Sequence, residues 1–294
     1  MLSAIVLALA AGPIHCVSDI SHEFTFYMDG RFARQYLQEG DVDVRNWGTL
    51  HKQDLSRVNL LVLASGDTRV EYSAKTRQHV KRYVEEGGGL VLLGDGRAAP
   101  EGQVLPLQAL SMDYGVAFSR ESAKPPLTRP LPPGGDGASG RLEFAGGGIL
   151  APSDSWHARA VDAEGRPVLA LRKFGKGTVL AATRGLFGSN PDASDPLNQA
   201  WIRGLLREVS AGKAVDPAKP PTGNFAELTR QTGPLTLEYT EGTERFVEMI
   251  AKEYQEIRPH LVAITGVEPS PGMITRMLML PTGGGGFSSG ERIA

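Results

Sequence analysis

Two short apolar runs separated by a helical pattern dominate the chain between residues 58 and 96. The runs at residues 60–63 and 90–93 have the length of strands and no polar alternation. Such runs are typical of strands covered on both faces. Between them, residues 73–86 carry apolar and charged side chains on opposite helical faces, and Gly87 follows as a natural helix end. The pattern predicts a right-handed parallel strand–helix–strand unit.

The alternation of strand and helix patterns continues on both sides of this unit. Strand patterns occupy residues 21–27, 42–44 and 116–119, and helical patterns occupy residues 31–38, 105–114 and 196–209. Residues 167–174 and 178–182 form the two arms of a hairpin with a glycine turn. We expect the second arm to join the sheet. Prolines and glycines between residues 121 and 148 predict a loop-rich insertion. The predicted fold class is α/β, with a flavodoxin-like, mainly parallel sheet and helices on both faces.

The composition changes at residues 212–224, which contain Pro217, Pro220 and Pro221. We interpret this stretch as a linker that separates an α/β domain at 18–211 from a short α/β segment at 225–294. The second segment shows a strand at 235–239, a strong helix at 243–257 and a strand at 277–280. Two strands and one helix bury little apolar surface. We therefore expect this segment to be the start of a larger domain.

The N-terminus begins with apolar and small residues from Leu2 to Gly12, including a small–x–small triplet at residues 8–10. The run is too short to span a bilayer. It predicts a signal peptide within residues 1–17 and a secreted or periplasmic protein, although no basic residues precede it. The alternative is a first buried strand at residues 4–10 of a cytoplasmic α/β domain.

Charge and composition exclude several function classes. A hydrophobic content of 41% and a charged content of 22% are typical of a folded globular protein. The net charge of −2 provides no bulk attraction to nucleic acid or to anionic membranes. The single cysteine, Cys16, excludes an internal disulfide and is expected to be a small apolar side chain.

Three segments, residues 54–66, 83–96 and 174–179, resemble the class I glutamine-amidotransferase-like superfamily, over about two-thirds of the chain. Active members carry a cysteine on the turn after the central strand, because a thiolate attacks the amide and leaves a thioester. Here that turn carries Asp95, and the later strand that bears the histidine leads into Arg184 instead. The resemblance therefore implies the fold without glutaminase activity.

A weaker resemblance, carried by residues 233–239, 243–257 and 278–286, is to the lead-in of secreted gluzincin-type zinc metallopeptidase domains. Those enzymes bind Zn²⁺ through two histidines one helical turn apart, with a glutamate that activates water. None of the six histidines has a histidine four residues later. No metal site is therefore predicted in these residues, and such a catalytic helix would lie beyond Ala294.

The candidate site residues lie mostly where strands end. Asp95 could act as a general base or metal ligand, and Asp67 and Arg184 could face the same crevice, because α/β sheets bind ligands at the carboxyl ends of their strands. The alternative for Asp95 is a turn aspartate bonded to its own backbone. Trp156 and His157 form a polar–aromatic pair suited to stacking on a sugar; a partly buried tryptophan beside a surface histidine explains them as well.

The leading functional hypothesis is an exported, non-catalytic interaction or scaffold protein with a degenerate amidotransferase-like domain. Its partner would be a protein, peptide or glycan, and no cofactor, nucleic acid or membrane span is predicted. Two alternatives remain open: the N-terminal portion of a secreted zinc metallopeptidase, and a hydrolase that uses Asp95. Neither the ligand nor the oligomeric state follows from the sequence.

Overall fold

The computed structural model describes residues 12–19, 35–64, 71–99, 105–129, 141–142, 146–187, 196–224, 228–233, 235–241, 243–267, 276–279, 288–289 and 292–293. The strands within these residues are β1 (His15–Asp19), β2 (Val42–Asn46), β3 (Leu60–Ala64), β4 (Gly89–Gly94), β5 (Val116–Ser122), β6 (Leu127–Thr128), β7 (Arg141–Leu142), β8 (Gly148–Pro152), β9 (His157–Val161), β10 (Pro167–Phe174), β11 (Gly177–Thr183), β12 (Leu228–Thr232), β13 (Leu235–Tyr239), β14 (Arg276–Met279), β15 (Ser288–Ser289) and β16 (Arg292–Ile293). The α-helices are α1 (Ala74–Glu85), α2 (Gln108–Met112), α3 (Pro196–Ser210) and α4 (Glu244–Thr265).

The main sheet has nine strands in the order β2-β1-β3-β4-β11-β10-β9-β6-β7. The first five are parallel to one another, and β10, β9, β6 and β7 extend the sheet with antiparallel pairings. Among the parallel strands the chain order is 2-1-3-4-5, which is the flavodoxin-like arrangement. The predicted fold class is confirmed, and the hairpin β10–β11 joins the sheet through its second arm.

Both faces of the parallel sheet are covered by helices. Helix α3 packs on the face that carries Cys16, Val62 and Leu93. Helices α1 and α2 pack on the opposite face, which carries Leu63 and Leu92. Because neighbouring residues of a strand point to opposite faces, a strand between two helical layers is apolar at every position. This explains the uninterrupted apolar runs of β3 and β4.

The first strand that the structure describes precedes the strand predicted at residues 21–27, which falls outside the described residues. β1 pairs in parallel with both β2 and β3, and all five of its residues are buried. The α/β domain therefore includes residues 15–17, which the predicted signal peptide of residues 1–17 also covers. Cleavage after Ala10 would leave β1 whole. The leader stays a prediction, and the alternative strand at residues 4–10 lies outside the described residues.

Part of the predicted loop-rich insertion is regular structure. β5 and β8 form a separate antiparallel ribbon, with Phe118 opposite Leu150. The ribbon crosses the main sheet near the end of β4, where both Phe118 and Leu150 join the core beneath it. Proline and glycine content predicts turns correctly, but it carries no signal for strands as short as β6 and β7.

The C-terminal segment forms a small sheet of order β12-β13-β14-β16-β15. Its core consists of Leu235 and Leu237 on β13, packed against Val247 and Ala251 on α4. The strand predicted at 235–239 is confirmed, whereas the helix continues past Pro259 to Thr265. Leu261 and Ile264 continue the apolar periodicity beyond Ile257, and the left-handed Gly266, with φ 66°, ends the helix.

Residues 212–224 contact the α/β domain near both ends, whereas residues 216–220 are exposed. Lys213 Nζ donates to the Leu55 carbonyl at 2.6 Å, and Gln53 Nε2 donates to the Thr222 carbonyl at 2.7 Å. At the end of the stretch the Trp47 amide donates to the Asn224 carbonyl at 2.9 Å. Proline content indicated an extended segment, but these contacts make it a bound strap. The domain boundary placed there stays a prediction.

Candidate functional site

The carboxyl ends of the parallel strands bring together the polar groups that a ligand would meet. β1 ends at Asp19, β2 at Asn46, and β11 leads into Arg184. β4 leads into Asp95, which begins a short 3-10 turn at Gly96–Ala98. Sheets of this topology bind ligands at this edge.

The turn after β4 lacks the backbone form of a nucleophile site. Asp95 has φ −139° and ψ 106°, which is ordinary extended conformation. A catalytic nucleophile at such a position stands on a sharp, strained strand-to-helix turn that exposes its reactive atom. Here only the three residues Gly96–Ala98 follow as 3-10 helix, so no long helix directs its N-terminus at the site.

The carboxylate of Asp95 is fully engaged within the protein. Its Oδ1 accepts from the backbone amides of Arg97 and Gly148, both at 3.1 Å. Its Oδ2 accepts from Arg97 Nη2 at 2.7 Å. Burial by itself raises the pKa of Asp95, but the hydrogen bonds from Arg97 and Gly148 outweigh it, so the pKa lies below the ordinary 3.8. A general base works best with a pKa near the working pH, and Asp95 is far from that condition.

The β5–β8 ribbon fills the space in front of this turn. A side-chain carbon added to Gly96 would lie 2.4 Å from the carbonyl oxygens of Phe118 and Ser119. One added to Gly148 would lie 2.4 Å from the Ser119 oxygen and 3.3 Å from Asp95 Oδ1. These backbones touch because both positions are glycine. A substrate has no room to approach the carboxylate from the ribbon's side.

A second polar cluster lies between the ends of β1 and β3, where the strand order reverses. The buried Asp19 carboxylate accepts from Asn46 Nδ2 at 2.8 Å and from the Tyr72 hydroxyl at 2.8 Å. Asn46 Nδ2 also donates to the Gly48 carbonyl at 2.8 Å. Sequence reasoning missed this cluster because β1 was not recognised as a strand. The signal that could have found it is the pair Asp19 and Asn46, each of which ends a parallel strand.

A chain of hydrogen-bonding groups links α1 to the C-terminal segment. His51 Nδ1 lies 3.2 Å from the Thr76 hydroxyl, and His51 Nε2 lies 3.3 Å from Glu241 Oε2. Hydroxyl, imidazole and carboxylate follow one another in the order of a hydrolase triad. The Thr76 residue is only 4% exposed, and its hydroxyl also contacts Ser73 Oγ at 3.1 Å. The arrangement therefore joins two parts of the protein and presents no accessible nucleophile.

Of the other predicted site residues, Arg184 follows the strand end adjacent to that of Asp95, because Thr183 of β11 pairs with Gly94 of β4. Trp156 is 7% exposed, and its Nε1 donates to the Tyr114 carbonyl at 3.0 Å. His157 is exposed at the start of β9, and Arg184 is half-buried at the end of β11. Asp67 lies outside the described residues. The geometry of Trp156 favours a core side chain, because its ring faces are packed; a carbohydrate role for the pair stays a prediction.

Two further features bear on the predicted function. Within the residues that the structure describes, no group of three or more histidine, cysteine, aspartate or glutamate side chains is arranged to hold a metal ion. Over the same residues, no helix combines the length and apolar character needed to cross a bilayer. The resemblance to zinc metallopeptidases thus receives no support from these side chains.

Comparisons with known proteins give structural similarities and no family assignment. No protein-family model and no curated protein matches the chain. The mmIFT52 N-terminal domain is 14% identical with a TM-score of 0.47, covering 68% of this chain and 99% of that domain. Cytoplasmic protein STM3548 from Salmonella typhimurium is 14% identical with a TM-score of 0.46, covering 61% of this chain and 86% of its own. A ThuA-like protein from Bacteroides uniformis ATCC 8492 is 12% identical with a TM-score of 0.43, covering 71% of this chain and 96% of its own.

Similarity at this level of identity concerns the fold alone.

Proposed function

We propose that this chain is a non-catalytic interaction protein, in which an amidotransferase-like α/β domain serves as a scaffold for the C-terminal sheet and helix α4. One observation carries the proposal. The turn after β4, where active members of the superfamily bear the nucleophile, holds an aspartate that is bonded on both oxygens and lies beneath the β5–β8 ribbon. This turn stabilises the domain and offers no reactive atom.

The seam between the α/β domain and the C-terminal segment supports the scaffold role. The Glu241 amide donates to Thr49 Oγ1 at 3.3 Å, next to the contact between His51 and Glu241. The strap at 212–224 adds the hydrogen bonds of Gln53 and Trp47 on the same side of the domain. Because both covalent and hydrogen-bonded connections converge there, the C-terminal segment is held against the strand ends.

Export and partner class are parts of the proposal that rest on sequence. The apolar run ending near Gly12 supports export. The near-neutral charge supports a protein, peptide or glycan partner rather than nucleic acid. The Asp95 hydrolase alternative is disfavoured by the bonded carboxylate, and no observation on the described residues favours the peptidase alternative.

The test is a turnover assay with the purified chain and its Asp95→Asn variant on glutamine, simple amides and activated esters. We expect no turnover above that of the unfolded chain, and no difference between the two proteins. Asp113→Asn is the matched control, because Asp113 also pairs with an arginine, Arg77, at 3.1 Å and lies away from the strand ends.

A catalytic role for Asp95 gives a different pattern. Turnover by the wild-type chain that falls by about a hundredfold or more in Asp95→Asn, but not in Asp113→Asn, would overturn the proposal. Circular dichroism of all three proteins separates lost chemistry from lost folding.

A further inference from the structure

Helix α4 carries two apolar faces, of which only one is packed. Val247 and Ala251 are buried against β13. A second set of large apolar side chains is between 45% and 81% exposed; within the helix and just after it, the set comprises Phe246, Met249, Ile257, Leu261, Ile264 and Val267. At about 100° per residue, the helical members fall within a stripe about 120° wide, which we call the α4 stripe.

Such a contiguous stripe is unusual on a protein that functions alone, and it marks an interaction surface. The charges on α4 argue against an anionic membrane as the occupant. Between Glu244 and Thr265 the helix carries four glutamates against two arginines and one lysine. Amphipathic helices that lie on anionic lipid are rich in basic residues instead.

The spacing of the α4 stripe points to a specific partner. Two polar residues, Glu253 and His260, interrupt the stripe and are exposed. Met249, Glu253, His260 and Ile264 follow one another along the stripe at intervals of 4, 7 and 4 residues, as apolar, acidic, basic and apolar side chains. This succession reads the same in both directions, except that acid and base exchange places, and Ile257 lies beside its midpoint.

We infer that the α4 stripe docks against the α4 stripe of a second copy of this chain, with the two helices antiparallel. In that register Met249 faces Ile264 of the other copy, Glu253 faces His260, and Ile257 lies near the two-fold axis. Each imidazole can donate to the opposing carboxylate, and two-fold symmetry makes the pair twice. A parallel pairing would instead place Glu253 against Glu253. Repulsion between like charges in a helical seam disfavours that orientation.

Pro259 does not interfere with this contact. It lies on the helix side opposite the stripe, about 160° from Ile257 and about 140° from Ile264, and removes only a backbone donor from that side. The inference deepens the proposed function by naming the partner. The dimer can nevertheless be disproved without disproving the proposed function, because oligomeric state and turnover are measured independently.

The first experiment is sedimentation equilibrium on the whole chain. We expect a reversible dimer, and a weakening of the dissociation constant by about a hundredfold in Ile264→Asp, since a charge is then buried against Met249. Ala263→Asp is the matched control, because it adds the same charge to the same helical turn but outside the stripe; we expect little change. A chain that stays monomeric at about 100 μM, well above typical dissociation constants, would overturn the inference.

The second experiment tests orientation. Glu253→Arg and His260→Glu should each weaken the dimer by about tenfold, because the first removes the carboxylate that accepts from the imidazole and the second places two carboxylates opposite one another. The double variant restores opposite charges only in the antiparallel arrangement, so it should recover the wild-type dissociation constant. A double variant as weak as either single one would contradict the antiparallel register, and unchanged single variants would place the contact elsewhere.

Discussion

At the scale of single residues, Asp162 shows how a buried carboxylate is stabilised in this fold. Its Oδ1 accepts from the amides of Glu164 and Arg166 at 3.0 and 2.9 Å, and its Oδ2 accepts from the Lys124 amide at 3.0 Å. Arg166 Nη2 donates to the same Oδ2 at 2.7 Å. Burial raises the pKa of Asp162, but these donors outweigh it and hold the pKa at about 2, against an ordinary 3.8.

We predict that Asp162→Ala lowers the free energy of unfolding at neutral pH by about 3 kcal/mol, because it leaves the Arg166 guanidinium and three backbone amides without their acceptor. Because the folded pKa is the lower one, the unfolded state takes up the proton first as pH falls. The stabilisation is therefore complete well above pH 3.8 and is lost as pH falls toward 2.

Urea unfolding at pH 7 and pH 3 measures this effect. The gap between wild type and Asp162→Ala should be smaller at pH 3. Asp216→Asn, at an exposed turn aspartate paired with Lys219, is the control and should change stability by less than about 0.5 kcal/mol at either pH. An equal gap at both pH values would show that the carboxylate contributes nothing through its charge.

At the scale of elements, glycines decide how closely the strands and helices approach. A side-chain carbon at Gly89, the first residue of β4, would lie 2.5 Å from the Val209 carbonyl oxygen and 2.9 Å from that of Asn59. Both obstacles are backbone atoms at the end of α3 and before β3, so neither can move without shifting its element. Gly204 lies in α3 itself, and nothing lies within 4 Å of such a carbon there.

We predict opposite effects for the same substitution at these two glycines. Gly89→Ala should lower the free energy of unfolding by about 3 kcal/mol through overpacking. Gly204→Ala should raise it by up to about 1 kcal/mol, because alanine restricts the unfolded chain and favours helix. Thermal and urea unfolding of both variants provide the comparison; a Gly89→Ala protein as stable as wild type would show that β4 and α3 can separate at little cost.

At the scale of the whole molecule, the seam between the α/β domain and the C-terminal segment is formed by residues close to Thr49. Thr49 accepts the Glu241 amide through its hydroxyl and is nearly buried. Its neighbours His51 and Gln53 contact Glu241 and the strap residue Thr222. Residues 49–53 therefore form one docking segment for two distant parts of the chain.

We predict that Thr49→Val increases the hydrogen-exchange rate of the Glu241 amide by about fivefold to tenfold, which corresponds to one lost hydrogen bond. Valine keeps the shape of threonine but has no acceptor. Thr49→Ser keeps the hydroxyl and should exchange at close to the wild-type rate. Equal exchange rates of the Glu241 amide in all three proteins would show that the Thr49 hydrogen bond does not limit the opening of the seam.

The sequence predicts much of the α/β domain because its central elements have strong local signals. β3, β4 and α1 are confirmed within a residue or two, since apolar runs and helical periodicity reflect burial directly. β1 was missed because His15, Ser18 and Asp19 are polar residues buried in a strand. Their hydrogen-bond partners are distant in sequence, so the local sequence pattern does not indicate them. The His15 amide, for example, donates to Asn59 Oδ1 at 2.8 Å.

For the candidate site, local chemistry was informative and placement was not. The glycines around Asp95 indicated a turn aspartate or an active carboxylate, and only the Gly148 amide and the Arg97 guanidinium distinguish the two. Gly148 is separated from Asp95 by 53 residues of chain. The sequence likewise left open whether Trp156 is a binding residue or a core residue. The hydrogen bond from its Nε1 to the Tyr114 carbonyl favours the core position.

By itself, the sequence determined the α/β class and the strand–helix–strand unit, because these follow from composition and from periodicities of a few residues. Only the tertiary structure decided that Asp95 is closed off by the β5–β8 ribbon, that residues 212–224 form a bound strap, and that α4 keeps an uncovered stripe. The physical reason is that burial and hydrogen-bond pairing depend on residues brought together from distant parts of the chain.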